Sequence, residues 1–360
     1  MDEIFEIARG GSPRPIKNYI TNDKNGINWI SIKDASNSTK YIEKTKNKIT
    51  KEGLKKSRMV YPGDFLLTNS MSFGRPYIMR TSGCIHDGWL VLKPKLKNID
   101  TDYFYHLLGS ESVYNHFSKV VAGAVVKNLN IDLVKALKIP LPPLDEQKRI
   151  ATILDKADAI RCKRQQAIKL ADEFLRAIFL DMFGDPIINS MGWPEESWAN
   201  VLKIVNGKNQ KNVKEEYGIY PIYGSGGEMG RANDYLCYEN TVIIGRKGNI
   251  NKPILVSEKF WNVDTAFGLE ADSNKLSYLY LFWFCRFFNF EKLNKTVTIP
   301  SLTKSDLLDI KIPVPDIKYQ KKFEIAHHAI DNIINNFEAS TESISELFSS
   351  ISQKAFAGEL

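Results

Sequence analysis

Glycine-rich segments that could hold a nucleotide occur twice in the sequence, and neither has the spacing that this chemistry requires. Gly207-Lys208 is followed by Asn209 instead of Ser or Thr, and it lacks the upstream glycine of a phosphate-binding P-loop. The run Gly224-Ser-Gly-Gly227 departs from a dinucleotide fingerprint and has no convincing βαβ unit after it. Such a run favours a turn, although glycine also allows the backbone to approach a polyanion closely.

Carboxylates and histidines give no better signal for a reaction. Pro315-Asp316 followed by Lys318 is reminiscent of the carboxylate–lysine cluster of nucleases, but its counterpart in the repeat described below is Pro142-Pro143, which favours a turn before a helix. That Pro-Pro pair also lacks the polar and aromatic neighbours that an adenine methyltransferase would need. None of the histidines falls in a metal-binding motif; they are His86, His106, His116, His327 and His328. A site built from distant residues would escape this test, so an enzyme with an unrecognised active site stays an alternative.

Charge indicates a polyanionic partner for one part of the chain. Lys and Arg total 49 against 42 Asp and Glu, a net charge of +7. Residues 1–143 carry 22 basic and 13 acidic side chains, whereas residues 183–315 carry 15 of each. The run Lys40–Arg58 is the most lysine-rich. An excess confined to one region favours contact with phosphates over a merely solvated face.

Composition limits the class of protein. Hydrophobic residues make up 43% of the 360 residues, which excludes wholesale disorder. No two cysteines form a CxxC pair, which excludes zinc fingers and thioredoxin-type sites and suits a reducing cytoplasm; they are Cys84, Cys162, Cys237 and Cys285. The first residues lack a signal-peptide pattern. The apolar stretch Leu276–Phe290 is short for a membrane span and contains Arg286, so we expect a buried helix and a cytoplasmic protein.

An internal repeat organises the chain. Lys138-Ile-Pro-Leu-Pro142 recurs as Lys311-Ile-Pro-Val-Pro315, at an offset of 173 residues. Tyr61-Pro-Gly-Asp-Phe-Leu-Leu-Thr68 matches Tyr238-Glu-Asn-Thr-Val-Ile-Ile-Gly245 at an offset of 177. Because the matches keep their order and the repeat spans about half the chain, the sequence predicts a duplicated domain and not a solenoid.

Each repeat is predicted to be a mixed α/β lobe followed by one long helix, an α+β protein overall. Strands are predicted at Asp64–Thr68, Thr241–Gly245 and Pro253–Val256, and lobe helices at Asp102–Asn115 and Leu276–Glu291. The predicted regions are lobe 1 (1–143), a spacer helix (144–182), lobe 2 (183–315) and a second spacer helix (316–360). Each spacer helix would be about 55–60 Å long and must bury its apolar stripe against the other or against a partner protein. The residues predicted to do so are Ile153, Ile160, Phe174, Ile330, Ile333 and Phe348.

The start of the first spacer helix carries a family resemblance. The run Ile139-Pro-Leu-Pro-Pro-Leu-Asp-Glu-Gln-Lys-Arg-Ile-Ala-Thr-Ile-Leu154 resembles the conserved region of Type I restriction–modification specificity subunits, as does Gln353-Lys-Ala-Phe-Ala-Gly-Glu-Leu360. The second helix start differs, with Lys318-Tyr319 where the first has Asp145-Glu146. Lobe 1 also reaches its Gly10-Gly11-Ser12-Pro13 turn after a shorter lead-in than the Trp193–Gly207 segment of lobe 2, which leads us to expect a truncated first lobe or a shorter natural start.

The resemblance implies a non-catalytic protein in which two target-recognition lobes each read half of a split DNA sequence. It implies that the long helices pack antiparallel in a coiled-coil-like spacer, related by a pseudo-twofold axis, and bind two modification subunits. Those partners would carry the adenine methyltransferase and S-adenosylmethionine, and a restriction subunit using ATP and magnesium could join. This chain itself would hold no cofactor and no metal. A coiled-coil scaffold without DNA is the remaining alternative.

Polar residues in predicted turns are the candidates for DNA contact, because turns carry most binding residues and bases are read through hydrogen bonds. Unlike lobes imply an asymmetric target. Asn69-Ser70 aligns with Arg246-Lys247 after matched strands, so corresponding loops are expected to emerge from both lobes. The candidates are Lys33, Asn69, Ser70, Arg75 and Lys127 in lobe 1, and Tyr223, Ser225, Arg231, Arg246, Lys247 and Asn249 in lobe 2.

Overall fold

Short apolar runs between turns form the same arrangement of four antiparallel strands in both halves of the computed structural model, which describes residues 1–36, 38–69, 73–122, 128–293 and 301–359. The strands of the first half are β1 (Phe5–Arg9), β2 (Ile20–Thr21), β3 (Ile27–Ile30), β4 (Tyr41–Ile42), β5 (Asn47–Ile49), β6 (Arg58–Val60), β7 (Phe65–Thr68), β8 (Pro76–Met79), β9 (Gly83–Ile85) and β10 (Trp89–Pro94). Its helices are α1 (Ile32–Ser36), α2 (Lys51–Leu54), α3 (Thr101–Leu108), α4 (Glu111–Ala122), α5 (Ile131–Ala136) and α6 (Leu144–Phe183), with a 3-10 turn at Ile16–Asn18.

The second half repeats this plan. Its strands are β11 (Glu195–Ser197), β12 (Leu202–Asn206), β13 (Tyr220–Gly224), β14 (Gly227–Ala232), β15 (Thr241–Gly245), β16 (Ile254–Val256), β17 (Trp261–Asn262), β18 (Ala266–Ala271) and β19 (Lys311–Pro313). Its helices are α7 (Trp198–Val201), α8 (Tyr278–Phe287), α9 (Lys304–Leu308) and α10 (Ile317–Ala357), with a 3-10 turn at Phe290–Leu293.

Strand order and register confirm the duplication. The order β1-β10-β7-β8 in the first half matches β12-β18-β15-β16 in the second. Leu90 lies opposite Leu67, and Phe267 lies opposite Ile244, so both partners of the pair keep the 177-residue offset. A second sheet in each half contains a parallel pair, β3 with β9 in the first and β13 with β17 in the second. The repeat seen in the sequence is therefore a repeat of topology.

The predicted strands are confirmed, and the lobe helices need correction. The helix predicted over 102–115 is two helices, because α3 ends at Leu108 and α4 starts at Glu111. Gly109 donates its amide to the Tyr105 carbonyl, and the Ser110 hydroxyl accepts from the Val113 amide, so a stop and a new start follow each other directly. In the second half, α8 starts later than predicted because Ser277 caps it, and it ends at Phe287.

The long helices end within three residues of the predicted bounds. Helix α6 begins immediately after Pro143 and stops before Gly184, whose φ of 73° is the left-handed conformation that closes many helices. Helix α10 stops before Gly358, with a φ of 77°. Its first turn is capped by the Asp316 carboxylate, which accepts from the Lys318 amide at 2.8 Å. Asp316 is thus a capping residue, as the repeat indicated.

The chain divides into two compact units, each of which contains one lobe and parts of both long helices. Unit 1 comprises Met1–Arg164 with Ala339–Leu360, and unit 2 comprises Gln165–Glu338. In unit 1, Leu154 of α6 and Ala355 of α10 are buried in one core with the lobe. In unit 2, Phe179 of α6 lies edge-on to Phe323 of α10, with ring centroids 5.4 Å apart. Opposite ends of the helices meet in each unit, as antiparallel packing requires.

The buried residues of the two long helices differ from those that the sequence predicted. Ile160, Phe174 and Ile333 are 49%, 58% and 52% exposed, so the predicted packing on the other long helix is not seen for them, and their burial against a partner protein stays a prediction. Ile153, Ile330 and Phe348 are half-buried, the last two against the unit cores. The covered helix residues include Ile150, Leu154, Leu175, Phe179, Phe183 and Phe323. Each helix carries apolar residues on more than one face, and the lobe that packs against it decides which face is covered.

None of the helices formed by the described residues combines the length and the apolar character needed to cross a membrane.

Candidate nucleic-acid interface

Two loops of lobe 2 come together and carry most of the predicted DNA-contact residues of that lobe. The tip of the β13–β14 hairpin holds Ser225, and the turn after β15 holds Asn249. Gly245 lies between them: a Cβ at this position would stand 2.5 Å from the Asn249 carbonyl oxygen and 3.1 Å from the Ser225 Cβ. Only glycine fits this approach, so the two loops form one continuous polar surface.

The backbone of the turn after β15 is fixed while its side chains are exposed. The Arg246 amide donates to the Thr265 carbonyl at 2.8 Å, and the Leu302 amide donates to the Arg246 carbonyl at 2.9 Å. The Lys247 amide also donates to Thr265, at 3.3 Å. Both basic side chains are exposed, and the Arg246 guanidinium lies 5.7 Å from the Phe267 ring centroid. Cationic groups on a rigid turn can meet a ligand at a small entropic cost.

Tyr223 and Arg231 flank this surface. The Tyr223 ring is half-buried edge-on against Phe260, and burial raises the pKa of its hydroxyl above the ordinary value, so the hydroxyl stays protonated at neutral pH. Arg231 lies further along β14, where its guanidinium is 3.4 Å from the Glu228 carboxylate. Arg231 is exposed but already has an acidic neighbour.

The matching loop of lobe 1 has the same backbone anchor and a different side chain. The Leu129 amide donates to the Asn69 carbonyl at 2.8 Å, which repeats the bond from Leu302 to Arg246. The Asn69 side chain, however, is 2% exposed and donates to the Asp87 carbonyl at 2.8 Å. The predicted alignment of the two loops is thus confirmed. Asn69 itself holds the loop in place from inside the lobe and does not extend from the surface.

The other candidates of lobe 1 are scattered. Arg75 is exposed, and its guanidinium lies 5.4 Å from the Tyr77 ring centroid. Lys33 is exposed on α1. Ser70 and Lys127 lie outside the described residues.

The sequence prediction missed a group of arginines around Asp87, next to the buried Asn69. The Asp87 carboxylate accepts from the Ser12 hydroxyl at 2.6 Å and from the Arg14 guanidinium at 3.0 Å. These two hydrogen bonds hold the pKa of the Asp87 carboxyl below its ordinary value, against the opposing effect of burial. Asp87 is therefore ionised at neutral pH, and its carboxylate is the ion-pair partner of Arg14.

Two further arginines complete this group. The Arg9 guanidinium donates to the Asp87 backbone carbonyl at 2.9 Å, and the Arg58 guanidinium donates to the Arg9 carbonyl at 2.7 Å. All three arginines are exposed. We call Arg9, Arg14 and Arg58 the arginine group. They are far apart in sequence, and no local pattern in the sequence indicated them.

Groups that could support catalysis are held in structural contacts. His106 is buried with its Nε2 2.7 Å from the Asp155 carboxylate, and Lys40 bridges Asp155 and Asp102 at 2.7 Å each. Burial lowers the pKa of His106, so its ring is neutral at pH 7. This cluster joins lobe 1 to α6. Burial raises the pKa of the Cys237 thiol to about 12, which removes its nucleophilic character. Within the described ranges, no three His, Cys, Asp or Glu side chains converge as metal ligands.

Comparison with known proteins finds related sequences and solved structures that have the same fold. The specificity subunit of type I restriction enzyme MjaIX from Methanocaldococcus jannaschii is 25% identical over 377 residues, covering 93% of this chain and 86% of the relative. The EcoR124I/EcoR124II specificity subunit of Escherichia coli is 28% identical over 167 residues, which is 44% of this chain and 40% of the relative.

Solved structures share the fold across nearly the whole chain. The S subunit of a Type-I restriction-modification system from M. genitalium superposes with a TM-score of 0.62 at 16% identity, covering 99% of this chain and 94% of the other. A chain from a structure of type I R-M complex assembly gives a TM-score of 0.55 at 17% identity, covering 99% and 98%. The sequence model of the protein family described as the Type I restriction modification DNA specificity domain matches residues 1–170 and again residues 192–347. Because both matched segments contain the duplicated sheet and its anchored loop, the chain belongs to the Type I restriction–modification specificity family and carries its domain twice.

Proposed function

We propose that this chain is the non-catalytic DNA-specificity subunit of a Type I restriction–modification complex, in which each lobe reads one half of an asymmetric split target. The pair of equivalent loops carries the proposal. Leu129 and Leu302 anchor the loops at Asn69 and Arg246 through the same hydrogen bond, yet the side chains differ. Two loops that share a backbone anchor but carry different side chains are suited to contact two unlike half-sites.

In lobe 2, we propose base contacts by the surface formed around Ser225, Arg246 and Asn249. Arginine pairs with guanine edges and asparagine with adenine edges in the major groove. Lys247 and Tyr223 would contact the backbone beside them. In lobe 1, Lys33, Arg75, Ser70 and Lys127 remain proposed contacts, whereas the burial of Asn69 gives it a supporting role.

We further propose that the arginine group of lobe 1 binds DNA phosphates. Removing Arg14 and Arg58 together, as Arg14→Ala with Arg58→Ala, is expected to reduce the slope of log affinity against log salt by about 0.9 for each phosphate that the variant no longer neutralises. The loss of affinity should be nearly equal for target and random DNA, because phosphates carry no sequence. Fluorescence anisotropy between about 50 and 200 mM salt would measure both quantities.

Arg80→Ala is the matched control, since Arg80 is an exposed arginine of the same lobe that is paired with Glu43 instead. An unchanged salt slope in the double variant would exclude the arginine group as a phosphate site. A loss restricted to target DNA would also contradict the proposal.

The proposed complex contains two modification subunits, which would bring S-adenosylmethionine and the methyltransferase, and it can include restriction subunits with ATP and magnesium. The exposed apolar residues Ile160, Phe174 and Ile333 are the proposed docking positions on the long helices. A protein partner that covered these large apolar side chains would remove them from water, which is favourable.

The decisive experiment is co-expression of this chain with the modification subunit of its host, followed by single-molecule mapping of N6-methyladenine. The expected result is a new asymmetric split motif that is absent when the modification subunit is expressed alone. A soluble complex that neither methylates new sites nor binds DNA would overturn the proposal in favour of a scaffold. Methylation by this chain alone would establish the enzyme alternative.

A further inference from the structure

One buried glutamine occurs at the start of each long helix, in equivalent positions of the repeat. Gln147 and Gln320 are separated by the 173-residue offset, and both side chains are completely buried. A buried amide has to satisfy two donors and one acceptor, and an apolar side chain of the same size would fill the space without that requirement. Two copies of this polar residue in the core call for a physical explanation.

Both glutamines make the same contacts. In unit 1, the Gln147 amide nitrogen donates to the Pro142 carbonyl at 2.8 Å and to the Asn98 carbonyl at 3.4 Å, while its oxygen accepts from the Asp100 amide at 2.8 Å. The first partner belongs to the proline-rich turn that precedes α6. The other two belong to the lobe, just before α3.

In unit 2, the Gln320 amide nitrogen donates to the Pro315 carbonyl at 2.7 Å and to the Lys275 carbonyl at 3.0 Å, and its oxygen accepts from the Ser277 amide at 2.8 Å. The partners again are the turn before the long helix and the segment before the lobe helix α8. We call each set of three hydrogen bonds a glutamine bridge.

The residues that the bridges hold are themselves helix caps. Asp100 accepts from the Tyr103 amide at the start of α3, and Ser277 accepts from the Tyr280 amide at the start of α8. Each bridge thus ties the first turn of a long helix to the first turn of a core helix of the lobe. Hydrogen bonds are directional, so they fix an angle that apolar packing alone would leave adjustable.

We infer that Gln147 and Gln320 are positioning residues that set the direction in which each lobe meets DNA, and so help to define the gap between the two half-sites. This inference rests on the proposed reading of a split target. A domain of this size has a radius of gyration of roughly 15 Å, so a rotation of about 15° displaces its surface by about 4 Å. That displacement exceeds the rise of about 3.4 Å per base pair.

The test uses the complex with its modification subunit and DNA duplexes in which the two half-sites stand at the native gap or one base pair closer or further apart. Gln147→Met and Gln320→Met keep the side-chain volume and remove the bridge, and Gln166→Met, an exposed position of α6, is the control. Binding is measured well below the melting temperature of each variant.

The preference for the native gap is the ratio of the affinities for the native-gap and altered-gap duplexes. We expect this ratio to fall about tenfold in each bridge variant, while the affinity for the best duplex changes less than about threefold. The control should keep the wild-type preference. If melting temperatures fall but gap preference stays, the bridges are structural only and the inference is wrong. If the wild-type complex itself shows no gap preference, the proposed function fails first.

A variant that does not yield soluble complex is replaced by Gln147→Glu. At a fully buried position its carboxyl is expected to be protonated, so it keeps the acceptor for Asp100 and one donor. A partial loss of gap preference is then expected. An unchanged preference would again overturn the inference.

Discussion

Reversing two charges, Arg246→Glu with Lys247→Glu, is expected to weaken binding of target DNA by about 100-fold, because loss of an arginine that contacts a base costs roughly 1–3 kcal/mol and the new carboxylates repel the phosphates. The change should not unfold unit 2. Both side chains are exposed, and the bonds to Thr265 and Leu302 that hold the turn use backbone atoms, which glutamate retains. Binding of the assembled complex to target and random duplexes, together with a melting curve, measures the two effects separately.

The control for total charge is Lys311→Glu with Lys321→Glu, two exposed lysines of the same unit outside the proposed surface. This pair changes the net charge equally and should affect both duplexes only through long-range electrostatics, by less than the first pair. Equal losses for the two pairs would mean that only net charge matters. Unchanged affinity and target choice in the first pair would refute the assignment of this turn to DNA.

The second large effect is expected in the core of unit 2. Phe179→Ala should cost about 3–5 kcal/mol of unfolding free energy, the range for a buried phenylalanine. The Phe179 ring is fully buried, and its centroid lies 5.3 Å from that of Tyr280 and 6.0 Å from that of Trp283, in addition to the contact with Phe323. Loss of this ring leaves a cavity between α6, α8 and α10. Chemical denaturation of the purified chain measures the difference.

Phe174→Ala provides a matched comparison on the same helix. Phe174 is exposed, so its removal should change the unfolding free energy by at most about 0.5 kcal/mol. Comparable losses for the two variants would contradict the burial seen here.

Ile160→Asp should likewise leave melting nearly unchanged, and weaker assembly with the modification subunit would then identify its exposed side chain as a docking contact.

Local signals were enough to predict the ends of the long helices and several strands. Pro143 and Gly184 delimit α6, and Gly358 ends α10, because proline and left-handed glycine act within one or two residues along the chain. The break at Gly109 was missed because the apolar spacing continues through it. The new start depends on the hydroxyl of Ser110, which accepts from the Val113 amide, and the helical pattern conceals this effect.

The equivalence of the two candidate loops was predictable from the sequence, whereas the orientation of their side chains was not. The repeat aligned Asn69 with Arg246, and the shared hydrogen bonds from Leu129 and Leu302 confirm that alignment. Only the contact with Asp87 shows that Asn69 faces inward. The arginine group could not be found from sequence, because Arg9, Arg14 and Arg58 meet through strands that are distant along the chain.

By itself, the sequence determined the duplication, the class of fold and the family resemblance, because these depend on the order and spacing of residues and on the proline and glycine residues that end helices. The tertiary structure alone decided which stripe of α6 is covered, leaving Phe174 exposed and Phe179 buried, and it brought Gln147 to Asp100 and Gln320 to Ser277. The physical reason is the range of the interactions. Helix ends and turns are fixed by neighbours in sequence, whereas burial and hydrogen-bond partners depend on which residues, distant in sequence, pack against a given side chain.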